Sequence, residues 1–345
     1  MNPVEIAALD ALDLLVVVDN ESDTLSSVDK GVPQLPELGR LVARVTHLAP
    51  KDGHDCVEPW GYLCLACHGF SALVTGRRGS EERSVLFDVG PSAEVWLENA
   101  HRLGVRLAPI EAVCLSHWHA DHSGGLPGVV AAITRSRLDE GLPPPIVDLH
   151  PDRPDQRGTM TPAGTLVLLK PEPTFEAIES AGGRVTKHAQ ASHVLAGFFF
   201  VSGEIERVTS YEAGFVGHHT VRDGHTVPDP LILDERFLAA RVRGRGVSVL
   251  SSCSHAGVVN AALGALGAFG GEPIDVILGG YHLAGEGMEP RIEPTVHDLA
   301  NRVRPRVVAP GHCTGWRAKA ALAHTFAPGN YGPSVVGSLY ALRAT

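Results

Sequence analysis

One segment, residues 115–126 (LSHWHADHSGGL), limits what this chain can become more than any other feature. Residues 110–115, apolar but for Glu111, read as a short strand. Side chains two apart on a strand share a face, so His117 and His119 converge on one ion. Asp121 and His122 follow in the turn and face a second position close by. Imidazole with carboxylate suits zinc, iron or manganese, and the spacing alone does not separate them. Gly124 and Gly125 let the backbone turn tightly before the next helix. The bland alternative is four polar residues in a solvated loop. Four ligand-type residues within six positions, straight after an apolar strand, argue against it. The expected cofactor is one or two divalent metal ions, zinc first, with manganese or iron as alternatives.

The rest of the chain is punctuated in the same way. Residues 14–18 are a β-branched run closed by Asp19-Asn20, a buried strand and a turn. Residues 60–75 and 84–87 read as further strands, and Asp88-Val89-Gly90-Pro91 as a turn. Residues 92–103 read as a helix with Ser92 as its N-cap. Residues 124–134 are helix-like. The stretch 135–230 is rich in Pro, Gly, Asp and His, with strand-like islands at 165–169 and 197–201. From residue 245 the order is regular: strand 247–251, helix 257–269, strand 274–278, helix 294–303, strand 306–309 and helix 316–326. This pattern predicts an α+β chain, two mixed sheets forming a sandwich with helices outside. A single domain over residues 1–345, with an insertion over about 140–230 that shapes the substrate pocket, follows from the composition.

Composition excludes some function classes. The 345 residues carry a formal charge of −10, which argues against general attraction to nucleic acid or to an anionic membrane. A small-molecule substrate, anionic if a local metal charge draws it, remains open. No apolar run is long enough to span a bilayer, and the acidic N-terminus has no basic signal-peptide region, so a cytoplasmic protein is expected. The six cysteines show no disulfide framework, whereas the eighteen histidines, several beside Gly or Asp at strand ends, call for a chemical explanation.

The His-x-His-x-Asp-His pattern, with Leu-Phe-Asp-Val-Gly upstream, resembles the metallo-β-lactamase superfamily. That resemblance implies an αβ/βα four-layer sandwich with the site at one edge, and hydrolysis by a metal-bound hydroxide. A narrower likeness runs through VVVDN, CHGFSALV, LFDVGPS, LSHWHADHSGGL, VSGEIER, SSCSHAGVVN, GGYHLAG and PGHCTG, in that order. It is similar to the branch named for 7,8-dihydropterin-6-methyl-4-(β-D-ribofuranosyl)aminobenzene-5′-phosphate synthase, a branch that holds several substrates. Cys67 departs from the acidic residue expected before His-Gly.

The resemblance implies that His312 is the final metal histidine, and His255, at a strand end before a helix, is expected to complete the first site with His117 and His119 or to sit beside it. Asp121, His122 and His312 would then hold the second ion. A bridging Asp is common near the strand end that here reads Ser252-Cys253-Ser254-His255. Whether Cys253 or His255 takes that place stays open, a small buried cysteine being the commoner state. His282, also at a strand end, is a ligand, a proton donor to the leaving group, or a structural histidine. Asp88 is expected to orient a ligand imidazole from behind. Arg207 either binds an anionic group or pairs with Glu204 or Glu206, and Trp118 walls the cleft or packs. Cys64-Leu65-Ala66-Cys67 lies in a strand pattern and lacks the second pair of a zinc ribbon. His218, His219 and His225 either line a substrate pocket or lie in a solvated loop, the loop being the commoner state.

The expected reaction is hydrolysis, or a related transfer, on a phosphoester, cyclic ester or amide, with Asp121 also orienting the attacking water. Two rivals share the fold: an iron-dependent oxidoreductase or oxygenase, and a ligand-binding protein of low activity.

Overall fold

The computed structural model describes residues 6–36, 40, 47–58 and 60–345. Two sheets face each other. The first runs in the order Arg184–Lys187, Ile146–Leu149, Ile110–Cys114, Glu81–Phe87, Ser71–Arg78, Ala11–Val18, Leu339–Arg343, Gln34–Leu35. The second runs Ser192–Val194, Phe199–Val201, Leu238–Val242, Gly246–Leu250, Ile274–Gly280, Val307–Gly311, with Ala8–Leu9 parallel to Leu238–Val242.

Period-two alternation assigns the layers. Leu12, Leu14 and Val16 point between the sheets with Phe87, Ala112, Leu238, Leu250, Leu278 and Ala309. Their neighbours Leu15, Val17, Leu86 and Val113 point outward, under the helices Ala93–Arg102 and Leu126–Asp139. Val249, Ile277 and Val308 do the same in the second sheet, against Val258–Ala268 and Trp316–Phe326. Because both faces of these strands are covered, the strands read as continuous apolar runs. Four layers result, helix–sheet–sheet–helix, as the sequence suggested.

Several local readings hold. The first helix after the Asp88–Pro91 turn is Ala93–Arg102, with the Ser92 hydroxyl accepting from Val95 N. Other readings change. Residues 60–70 are not strand: a 3₁₀ turn at Trp60–Tyr62 leads into a loop, and Cys64 and Cys67 lie in that loop. The physical reason is where its backbone bonds go. Asn99 on the helix Ala93–Arg102 brackets Leu65, taking its N–H and donating to its carbonyl, and Cys67 N donates to the Asp19 carbonyl. The helix expected over 124–134 begins at Leu126 and extends to Asp139. Gly124 and Gly125 precede it because a Cβ would lie 2.5 Å from the Ala120 and Pro91 carbonyls at the first, and 2.9 Å from that of Val89 at the second. The C-terminal strand Leu339–Arg343, which pairs with Ala11–Val18, was not legible in the sequence.

Within residues 140–230, Ile146–Leu149, Arg184–Lys187, Ser192–Val194 and Phe199–Val201 join the two main sheets. The other four strands of this stretch, Leu166–Leu168, Gln156–Met160, His218–Arg222 and His225–Pro228, form a separate sheet. No helix among the described residues is long and apolar enough to cross a membrane.

One buried ion pair sews the two sheets together beside residues 115–122. Arg236, entering the second sheet, donates to Asp148 Oδ1 at 2.6 Å and to the Leu115 carbonyl at 2.6 Å. Both side chains are almost fully buried. Leaving one buried charge without its partner is costly, so Arg236→Met is expected to lose about 3–5 kcal/mol of stability in urea unfolding. The double variant Arg236→Met with Asp148→Leu should recover part of that loss. A single variant within 1 kcal/mol of wild type, on the order of a neutral surface change, would sink this account.

Candidate metal centre

The strands that carry the site run the same way, so their C-terminal ends meet at one edge. Ile110–Cys114 is parallel to Glu81–Phe87, and Ala11–Val18 reaches the same direction through two antiparallel steps. In the second sheet, Gly246–Leu250, Ile274–Gly280 and Val307–Gly311 are mutually parallel. Asp19, Asp88, His117, Cys253, His282 and His312 therefore come from six strand ends and gather between the sheets.

Five imidazoles in this cluster are each held from behind by an acceptor, which fixes the ring N–H on the far side. Asp88 Oδ2 takes a hydrogen from Ser116 Oγ at 2.7 Å, so that oxygen accepts from His117 Nδ1 at 2.8 Å. His122 Nδ1 donates to Asp88 Oδ2 at 2.8 Å. His255 Nδ1 donates to Glu235 Oε1 at 3.0 Å, and His312 Nδ1 to Asn20 Oδ1 at 3.0 Å. His218 Nδ1 donates to the Asp229 carbonyl at 2.7 Å, leaving its Nε2 to accept from His119 Nε2 at 2.8 Å. The nitrogens left bare are Nε2 of His117, His122, His255 and His312, and Nδ1 of His119.

These bare nitrogens converge. His117 Nε2 and His119 Nδ1 lie 3.0 Å apart, and ligand atoms of His117, His119 and His255 all fall within 4.8 Å of one another. Two lone pairs facing at that distance repel unless a cation sits between them. Burial drives His117 and His119 well below the ordinary imidazole range, so they are neutral, the form a ligand requires. Burial likewise lowers His255 to about 4.

Asp121 faces the second group. Its Oδ2 lies 3.5 Å from His122 Nε2 and 3.4 Å from His312 Nε2. Both nitrogens are buried without a hydrogen-bond partner. Burial works to raise the Asp121 carboxyl, but His122, His312 and His68 overcome it and hold it well below the usual range. Burial also works against a charge on His122, yet Asp121 and Asp88 carry it up to about 9. A position where carboxylates draw a proton onto a buried imidazole is one that draws a cation. The donor set therefore fits divalent metal, with histidine on one side and histidine plus carboxylate on the other.

The structure brings together His117, His119, Asp121, His122, His255 and His312, with Asp88 behind them. Cys253 lies among them, its Sγ 3.4 Å from His255 Nε2 and 3.5 Å from His282 Nδ1. Trp118 is fully buried, its indole donating to the His150 carbonyl and stacking edge-on against Phe175. Arg207 donates to the Leu231 carbonyl, makes no ion pair with Glu204 or Glu206, and joins none of the metal-capable groups.

His218 corrects an expectation. It lies in the strand His218–Arg222 and is buried against His119, not in a solvated loop, because the pairing of that strand with Gln156–Met160 folds it inward. His225 is exposed, and His219 is half-buried. Sequence reasoning also missed Glu235, which takes three hydrogen bonds from His255 and Ala256, and Asn20, which links His312 to His68. His68 Nδ1 accepts from Asn20, so its N–H is on Nε2, 3.4 Å from Asp121 Oδ2. Asp19-Asn20 was read only as a turn; its place at the end of a buried apolar strand was the available signal.

Comparison with known proteins bears on the fold that carries this cluster. Residues 65–186 match the metallo-β-lactamase superfamily. The chain is 28% identical over 262 residues to the 7,8-dihydropterin-6-methyl-4-(β-D-ribofuranosyl)-aminobenzene-5′-phosphate synthase of Methanocaldococcus jannaschii, covering 75% of this chain and 85% of that one. It is 30% identical over 82 residues to a ribonuclease Z of Agathobacter rectalis, covering 24% of this chain and 25% of that protein. The crystal structure of a metal-dependent hydrolase of the β-lactamase superfamily superposes with a TM-score of 0.65 at 23% identity, covering 97% of this chain and 99% of that one.

Asp88 orients two of the five imidazoles, so Asp88→Asn is expected to weaken metal affinity about 10–100-fold in chelator competition. Unchanged affinity in a folded variant would mean that Asp88 does not set those rings.

Proposed function

This chain is a metallo-β-lactamase-fold enzyme, and we propose that it is a two-metal hydrolase, or related transferase, acting on a small anionic molecule. The observation that carries this reading is two adjacent groups of bare imidazole nitrogens, those of His117, His119 and His255 turned towards one another and those of His122 and His312 turned towards Asp121. His117, His119 and His255 would hold one ion, and Asp121, His122 and His312 the other, zinc being the first expectation. Bound there, a divalent ion supplies Lewis acidity: it polarises a carbonyl or phosphoryl oxygen and acidifies water.

The chain's own residues supply the rest. The Asp121 carboxylate orients the attacking water. His282, at the rim beside Cys253, donates the proton to the leaving group. Asp88, Glu235 and Asn20 keep the ligand rings from turning. The four-stranded sheet formed within residues 156–228 reaches the centre through His218 and shapes the substrate pocket. The relative from Methanocaldococcus jannaschii is named for a 5′-phosphate. A phosphate ester of a small molecule, with a cyclic ester or amide as alternatives, is therefore the proposed substrate class.

The test is elemental analysis of the protein purified without added metal, beside His119→Ala, followed by a phosphodiester, lactone and amide screen. About two zinc or manganese ions per chain, lost in the variant together with turnover, is the expected result. About one iron per chain with oxygen consumption would replace this reading with an oxidoreductase, and a variant with full metal and full rate would refute the ligand assignment. Cleavage of RNA alone would shift the substrate class to nucleic acid.

A further inference from the structure

A sulfur sits where the two groups of imidazoles meet. Cys253 follows the strand Gly246–Leu250 and is 4% exposed. Its Sγ forms one metal-capable group with His117 and His122, a second with His255 and His282, and a third with His312 and Cys313. No other residue of the cluster enters three such groups. Its Sγ lies 3.4 Å from His255 Nε2, and two of its groups contain His122 and His312, whose Nε2 atoms are buried without a hydrogen-bond partner.

A second sulfur is brought to the same place. Cys313 Sγ lies 3.2 Å from Cys253 Sγ and 3.3 Å from the Cys253 carbonyl. The two cysteines follow strands separated by Ile274–Gly280, and the end of that middle strand is cut back to admit them. A Cβ on Gly280 would come within 2.7 Å of Cys313 Sγ and 3.1 Å of the His312 ring. It would also lie 2.6 Å from the Ser252 carbonyl, so any side chain at residue 280 would displace the backbone or the Cys313 and His312 side chains from their present places.

Resting on the two-metal reading above, we propose that Cys253 is itself a metal ligand, its thiolate standing between the two ions in the place a bridging carboxylate would take. On binding, the thiol proton leaves to solvent and a sulfur–metal bond replaces the S–H bond. Cys313 packs against that sulfur and keeps it aimed between His117 and His312. A thiolate in this place shifts the preference of the centre away from manganese, which favours carboxylate and water, towards zinc, cobalt and iron.

The test fills metal-free protein with cobalt(II) and reads the near-ultraviolet thiolate-to-cobalt charge-transfer absorption, with cobalt counted by elemental analysis. The wild type is expected to show the band. Cys253→Asp should keep its cobalt and lose the band, and Cys313→Ser should retain it. Zinc X-ray absorption of the wild type gives a reading independent of any variant, with a sulfur neighbour expected at about 2.3 Å. A full complement of cobalt without the band, a band that survives Cys253→Asp, or a zinc shell of nitrogen and oxygen alone would overturn the proposal and leave the two-metal reading intact. Failure of the wild type to take up cobalt or zinc at all would remove both.

Discussion

A buried carboxylate with no exposure to solvent, Asp88, accepts hydrogens from Ser116 N, Ser116 Oγ and His122 Nδ1. Charge-assisted bonds of this kind are about twice as strong as neutral ones, and a buried acceptor left unpaired costs the full price of its desolvation. Asp88 therefore locks the strand end before His117 to the turn that carries His122. The same device recurs in the second sheet. Glu235 clasps the backbone and ring of His255, and Asp19 accepts from His312 N and Ser334 Oγ. Each of the three histidine-bearing loops is thus tied to a buried acid from a different part of the chain.

These acids explain why the site is stiff. A metal ligand must present a bare nitrogen, and a free histidine chooses between two tautomers and several rotamers. With one ring nitrogen committed behind, neither choice remains. The backbone carries matching strain. Asp88, Ser254, His282 and His312 all have positive φ, between 44° and 61°, without being glycine. Such residues cost on the order of 1–3 kcal/mol each and persist where the surroundings over-determine them. Here they cluster at the strand ends that face the imidazoles, and the apolar layers on both sides of each sheet supply the stability that holds them.

The layered core accounts for that capacity. Val16, Phe87, Ala112 and Leu250 fill the space between the sheets, while Val17, Leu86, Val113 and Val249 pack under helices. The parallel strands must end at one edge, and chemistry placed at those ends converges without any local sequence rule. Arg236 and Asp148 fix the separation of the two sheets at that edge.

The strand, the turn and the gathered histidines of residues 110–126 were legible because strand, spacing and turn lie within one short window, where period-two geometry and glycine punctuation apply. His255 and His312 were legible as strand-end histidines for the same reason. His218 was not, since only the pairing of His218–Arg222 with Gln156–Met160 turns it towards His119. Glu235 and Asn20 were invisible because their partners are 20 and 292 residues away. The loop carrying Cys64 and Cys67 was misread as strand because its backbone bonds are made to Asn99 and Asp19, which sequence periodicity does not record. The sequence by itself determined the sandwich, the order of the elements between residues 245 and 326 and the donor types at the strand ends, since these follow from local periodicity and residue chemistry. Which acceptor stands behind each imidazole, and that two sulfurs meet between the groups, was decided only by tertiary structure, because those contacts join strand ends distant along the chain.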